Sequence, residues 1–189
     1  MAMGRATRGD SIDRYHEWGL SVEARSINIF GEIDLELTSR TLTNIDILRK
    51  SGDQPIVIYL NSEGGDWEHG IAIYDVISAL PHEVSIRVVG QAMSMASIIL
   101  QAGDVREATR HSTIMIHDGT NSSETGAISF ERWADHSRII RKQMYDIYAL
   151  RSSVMDSSKN AQYWRRRCTS DYIMTADQAL SEGLLDVII

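Results

Sequence analysis

Acyl transfer to water needs a hydroxyl or thiol that attacks, a base that moves its proton, and a carboxylate that steadies the base. Ser94 offers the hydroxyl. It lies in Gly90-Gln-Ala-Met-Ser94-Met-Ala, where a core strand hands over to an apolar helix. A side chain at that junction stands at the carboxyl edge of the sheet, where open α/β folds collect their ligands. The next backbone N–H, from Met95, belongs to a helical first turn with no internal acceptor, so it can donate to an oxyanion. A lone serine at such a junction is more often a cap or a packing residue, and the pattern is not the Gly-x-Ser-x-Gly elbow. Its company has to decide.

Two other strand ends supply that company. Asn61-Ser62-Glu63-Gly64-Gly65 follows one core strand, and its glycines allow positive φ and close backbone approach. Its bared N–H groups ahead of a helix suit an anion, although a plain strand-to-helix turn reads the same way. His117 ends the strand Ser112–Ile116 at the same edge. For a carboxylate to orient it, Asp171 is available in the polar segment Cys168-Thr-Ser-Asp171. On residue chemistry alone Asp171 competes with Asp66, Asp104 and Asp118. Asp118 is disfavoured because neighbours in extended chain point to opposite faces.

The elements that must position these groups alternate. Ser26–Phe30 reads as a strand ended by Gly31, and residues 35–50 as a helix stopping near Ser51-Gly52. Pro55–Leu60 reads as a strand buried on both faces, and residues 66–80 as a helix ended at Pro81. Val84–Val89 is a strand with Gly90 as its turn, followed by a helix from Met93 to Ala102 closed by Gly103. This order implies right-handed βαβ crossovers and a largely parallel sheet. A long helix, residues 129–152, then carries Phe130, Trp133, Ile140, Met144 and Ile147 on one stripe, as if to pack on something outside its own domain. Thr175 to Gln178 fits a capping box, Gly183 a helix end, and Leu185–Ile189 a last strand.

Bulk properties narrow the function. A length of 189 residues with 43% hydrophobic content suits one domain with a sizeable core. A net charge of -7 argues against a general nucleic-acid binder. A single cysteine, Cys168, forms no internal disulfide and points to a reducing, cytoplasmic compartment. No run of about eighteen apolar residues predicts a membrane span. The six histidines share no metal-ligand spacing, and there is no Gly-x-x-x-x-Gly-Lys-[Ser/Thr] loop, so neither metal nor ATP nor any other cofactor is expected. The four tryptophans read as core or interface aromatics, and Arg165-Arg-Arg167 as a solvated or ion-pairing run.

Taken in order, Asn-Ser-x-Gly-Gly, Gly-Gln-Ala-x-Ser-Met-Ala, Met-Ile-His, an Asp, and Thr-Ala-x-x-Ala-x-x-x-Gly-Leu-x-Asp resemble the proteolytic subunit of the ATP-dependent Clp protease. These motifs run from Gly31 to Ile189, and Arg8-Gly-Asp-Ser-Ile-Asp-Arg-Tyr15 resembles that family's N-terminal segment. The resemblance implies an α/β crotonase-like fold of repeated β-β-α and βα units with a protruding handle helix. It implies an N-terminal segment at residues 1–25, a single domain at 26–189, and a handle at about 119–152. It further implies a serine endopeptidase with Ser94, His117 and Asp171 as triad and the N–H groups of Gly64 and Met95 as oxyanion hole. Gly65, Asp66 and Trp67 would flank the substrate. Partners would be unfolded peptides, copies of the chain in stacked heptameric rings, and an AAA+ unfoldase.

Several positions depart from the family pattern. Glu63 stands where proline is usual and Asp66 where an apolar residue is usual, which is expected to shift peptide preference. Asp118-Gly119 replaces Gln-Pro, and Thr120–Thr125 replaces a glycine-rich strand that helps rings lock. The N-terminus is short, without the apolar start of the family's pore loops, and the end at Ile189 lacks its short tail. These traits fit a divergent member, phage-encoded or paralogous. The competing reading is a non-catalytic ring subunit that co-assembles with an active paralogue. An acyl-CoA enzyme of the same fold ranks below both, since it needs no Ser94–His117–Asp171 set.

Overall fold

The computed structural model describes residues 15–119 and 127–189, so most of the Arg8–Tyr15 motif and the whole of Thr120–Thr125 lie outside the described residues. The elements run β1 (Leu20–Ser21), β2 (Ser26–Phe30), α1 (Leu35–Lys50), β3 (Ile56–Ser62), α2 (Trp67–Ser78), β4 (Val84–Met93), α3 (Met95–Leu100), β5 (Val105–Ala108) and β6 (Thr113–Ile116). After them come α4 (Ala127–Ser152), α5 (Ala161–Arg167), β7 (Tyr172–Thr175), α6 (Ala176–Glu182) and β8 (Val187–Ile188). Strands β2, β3, β4, β5 and β8 pair in parallel, with β1 antiparallel at one edge. Ile27, Ile29, Ile58, Leu60, Ile86 and Val88 are fully buried on these strands, whereas Val57 and Tyr59 are only half-buried, so the 55–60 strand is not buried equally on both faces as expected.

Helix starts follow from side-chain oxygens. Asp34 caps α1 by accepting from Leu37 N at 2.8 Å, and Asp66 caps α2 by accepting from His69 N at 3.0 Å. The predicted capping box at Thr175 and Gln178 is formed, and α6 ends at Gly183 with φ 79.

Gly90 is not a turn. Strand β4 continues through it to Met93, and the following helix begins only at Met95. The register with β3 passes from Leu60↔Val88 to Ser62↔Ala92, so Asn61 faces three residues of β4 across a bulge. The Asn61 Oδ1 accepts from Gln91 N at 3.2 Å and fills the space a Cβ on Gly90 would take. The bulge lets β4 serve two ladders. Its first half pairs with β5, whereas Gln91–Met93 pair with β6.

Two elements escape apolar periodicity. Strand β5, Val-Arg-Glu-Ala, contains Arg106, which is only 2% exposed because Asp186 takes its guanidinium in two bonds of 2.5 and 2.9 Å. Helix α5 contains the Arg165–Arg167 run, where Arg167 lies over the rings of Tyr163 and Tyr172 and pairs with Glu182. Its Trp164 is fully buried and donates to Ser152 Oγ at 2.8 Å.

Candidate active site

Sheet register brings the three chemical groups together. Strand β4 ends beside β6 at Met93↔Met115, and the next N–H, from Ser94, donates to Met115 O at 2.9 Å. Strands β6 and β7 are antiparallel and end at Ile116↔Tyr172. One position further, His117 and Asp171 fall opposite each other, at the spacing where side chains of an antiparallel pair meet. The His117 Nδ1 lies 3.1 Å from Asp171 Oδ1, and its Nε2 lies 2.8 Å from Ser94 Oγ. With the carboxylate ionised, Nδ1 carries the proton and donates, leaving Nε2 to accept from the serine hydroxyl. That is the tautomer a general base requires.

The other carboxylates are engaged elsewhere. Asp66 caps α2. Asp104 Oδ2 accepts from Val84 N at 2.8 Å, and Asp118 Oδ1 accepts from Tyr145 Oη–H at 2.6 Å. Asp171 is the carboxylate at the imidazole, with its side chain 65% exposed. Cys168 is no rival nucleophile, because burial, with the Asp118 charge adding to it, pushes its thiol up to about 12.

Ser94 sits at φ 50 and ψ -122, a left-handed conformation that a side chain rarely takes. The glycine loop packs directly against it. A Cβ on Gly64 would come 2.7 Å from Met93 O, 2.8 Å from Ser94 Cβ and 3.0 Å from Met95 N. The loop is pinned by Ile33, whose N–H donates to Gly64 O at 2.8 Å and whose carbonyl accepts from Asp66 N at 2.9 Å. Gly64 N–H is already spent on Ser62 Oγ at 3.0 Å. Gly65 N–H has no acceptor among the described residues.

Gly65, Asp66, Trp67 and Glu68 form one wall of a cleft of ≈ 320 Å³ that holds Ser94, Met95, Ile98 and His117. Asp118 and Gly119 line it as well, and α4 contributes Trp133, Ile140, Arg141 and Met144. Part of the stripe expected to face outward therefore lines the cleft that holds Ser94. Its apolar spacing was visible in the sequence, but nothing there said which surface it covers. Phe130's side chain lies outside the described residues.

A family model described as Clp protease matches residues 9–189. The chain belongs to the Clp protease family. With that membership it is classed as a serine-type endopeptidase, and the mixed α/β sheet is the fold expected of it. Among its relatives is an ATP-dependent Clp protease proteolytic subunit of Deinococcus radiodurans, 34% identical over 139 residues, covering 72% of this chain and 66% of that one. A second, from Pleurastrum terricola and of the same description, is 33% identical over 183 residues, covering 95% of this chain and 89% of its own length. Among the described residues, no helix of this Clp-family chain is long and apolar enough to cross a membrane.

Proposed function

We propose that the chain cleaves unfolded peptides by acyl transfer through Ser94, with His117 as general base and acid and Asp171 as the group that orients it. Ser94 Oγ attacks the scissile carbonyl while His117 Nε2 takes its proton; the proton then goes to the leaving amine. Water, deprotonated by the same imidazole, releases the acyl group. The single observation that carries this reading is the unbroken hydrogen-bonded line Ser94–His117–Asp171 on the floor of an open cleft. Met95 N–H and Gly65 N–H are the oxyanion donors in this scheme. Gly65 takes the place first expected of Gly64, because the Gly64 N–H is engaged by Ser62. Gly64 instead gives the loop room to lie on Ser94. An extended substrate then runs beside Gly65, Asp66 and Trp67.

Assembly into stacked rings of copies of this chain, in the cytoplasm and fed by an AAA+ unfoldase, belongs to the same reading. Apolar side chains left exposed among the described residues support it: Ile139 and Leu150 on α4, and Trp18, Leu35 and Ile47 lining a groove of ≈ 1040 Å³ along α1.

The test compares wild type with Ser94→Ala on a fluorogenic peptide and with a fluorophosphonate probe. Loss of both cleavage and labelling is expected. Cleavage that persists in Ser94→Ala overturns the assignment.

A further inference from the structure

Strand β6 ends at Ile116, so the ladder does not hold His117 itself. The next residue is fastened instead. Asp118 N–H donates to Cys168 O at 2.8 Å, and Asp118 Oδ1 accepts from Tyr145 Oη–H at 2.6 Å. Cys168 is fully buried at the end of α5, three positions before Asp171. Tyr145 is 8% exposed on α4, one residue after Met144 of the cleft wall. The loop that carries the base is thus tied both to the segment that carries its orienting carboxylate and to the long helix.

We infer that the Asp118–Tyr145 hydrogen bond is a positioning device for His117, setting the imidazole against Ser94 from the α4 side. This rests on the acyl-transfer reading above. Three features carry it. The bond is short and made to a carboxylate, the strong kind. Burial, with the Asp118 bond adding to it, holds the Tyr145 hydroxyl well above its ordinary range, so it stays a donor at any working pH. Finally, Asp118 lines the same cleft as His117, yet its Oδ1 is taken by Tyr145 while the imidazole is paired with Asp171, so the Asp118 carboxylate reaches the base through the backbone the two residues share.

The experiment uses the assembled full chain as Tyr145→Phe, Asp118→Ala, Asp118→Asn and the Tyr145→Phe/Asp118→Ala double variant, with Ser94→Ala as reference. Peptide kcat and KM are measured beside native mass and thermal midpoint. Tyr145→Phe and Asp118→Ala are each expected to lower kcat at least about ten-fold with KM within about two-fold, as a small misplacement of a reacting group does. The double variant falls no further than the worse single, since both remove one bond. Asp118→Asn, whose amide oxygen still accepts from Tyr145, recovers kcat to within about three-fold of wild type. Wild-type kcat in both single variants, with Ser94→Ala inactive, overturns the inference and leaves the acyl-transfer reading standing. Losses that follow lowered midpoint or lost native mass, in Asp118→Asn as in Asp118→Ala, assign the pair to folding and also overturn it. An active Ser94→Ala removes the reading beneath it.

Discussion

Ser94 holds a positive φ that its own side chain opposes, and the contacts that enforce it are countable: the hydrogen bond to Met115 O and the glycine loop pressed on its Cβ. Gly64→Ala therefore strikes Ser94 through the loop. At φ 102, with three contacts of 3.0 Å or less against backbone and Ser94, the new methyl has no room. We expect kcat to fall by about a hundred-fold and the thermal midpoint to drop, because loop and nucleophile must separate. Peptide kinetics with a melting curve check it; full activity would mean the loop does not bear on Ser94. At this scale the proximity of Ser94 and His117 was legible from their places at strand ends on one sheet edge. Asp171 was not, on residue chemistry alone, because its meeting with His117 depends on an antiparallel pairing between segments 54 positions apart. Only the family resemblance singled it out. That Ser62 bends back to accept the Gly64 N–H was hidden for a similarly local reason, since it is set by the loop's geometry.

Among the elements, β5 and β8 are joined by an ion pair as well as by their ladder. Arg106 is buried and bonded to Asp186, to Gln101 Oε1 and to Gly183 O, so the guanidinium fastens the last strand and the end of α6 to the sheet. Asp186→Ala leaves that cation buried without its carboxylate, and the expected cost is about 3 kcal/mol by chemical denaturation. The pair also sets an acid limb. Partial burial works to raise the Asp186 carboxyl, but the bonds from Arg106 outweigh it and hold the group below its ordinary 3.8. A depressed carboxylate contributes fully above the unfolded value and loses that contribution as pH falls through the folded one. Stability measured from pH 6 downward should therefore fall below about pH 4, and less steeply in Asp186→Asn. An unchanged slope would remove Asp186 from the account. The same pair explains why β5 was illegible. Arg and Glu in a four-residue run give no apolar alternation, and their partners, Asp186 for Arg106 and Arg87 for Glu107, lie far off in sequence. The helices with apolar stripes and local caps were legible because their signals lie within one turn.

Across the whole molecule, α4 has a double task. Its Trp133, Ile140 and Met144 close the cleft, while Ile139 and Leu150 remain more than half exposed. If stacked rings meet through this helix, Ile139→Glu and Leu150→Glu should lower native mass without unfolding the subunit, because neither side chain belongs to the core. Mass spectrometry under native conditions, with circular dichroism on the same sample, decides this; unchanged mass would place the contact elsewhere. The sequence announced such a helix but not that its inner face lines the cleft, since a stripe carries no address.

The bulge at Gly90 has its own consequence in the language of amide exchange. Because β4 is paired along one side with β3 and along the other with β5 and then β6, its amides are released only when the centre of the sheet comes apart. Deuterium should enter β1 and β8, two residues each, on the timescale of local fraying. The amides of Val84–Met93 should be the last to take it up, at the rate of global unfolding. The strand that leads into Ser94 is then also the slowest clock in the protein.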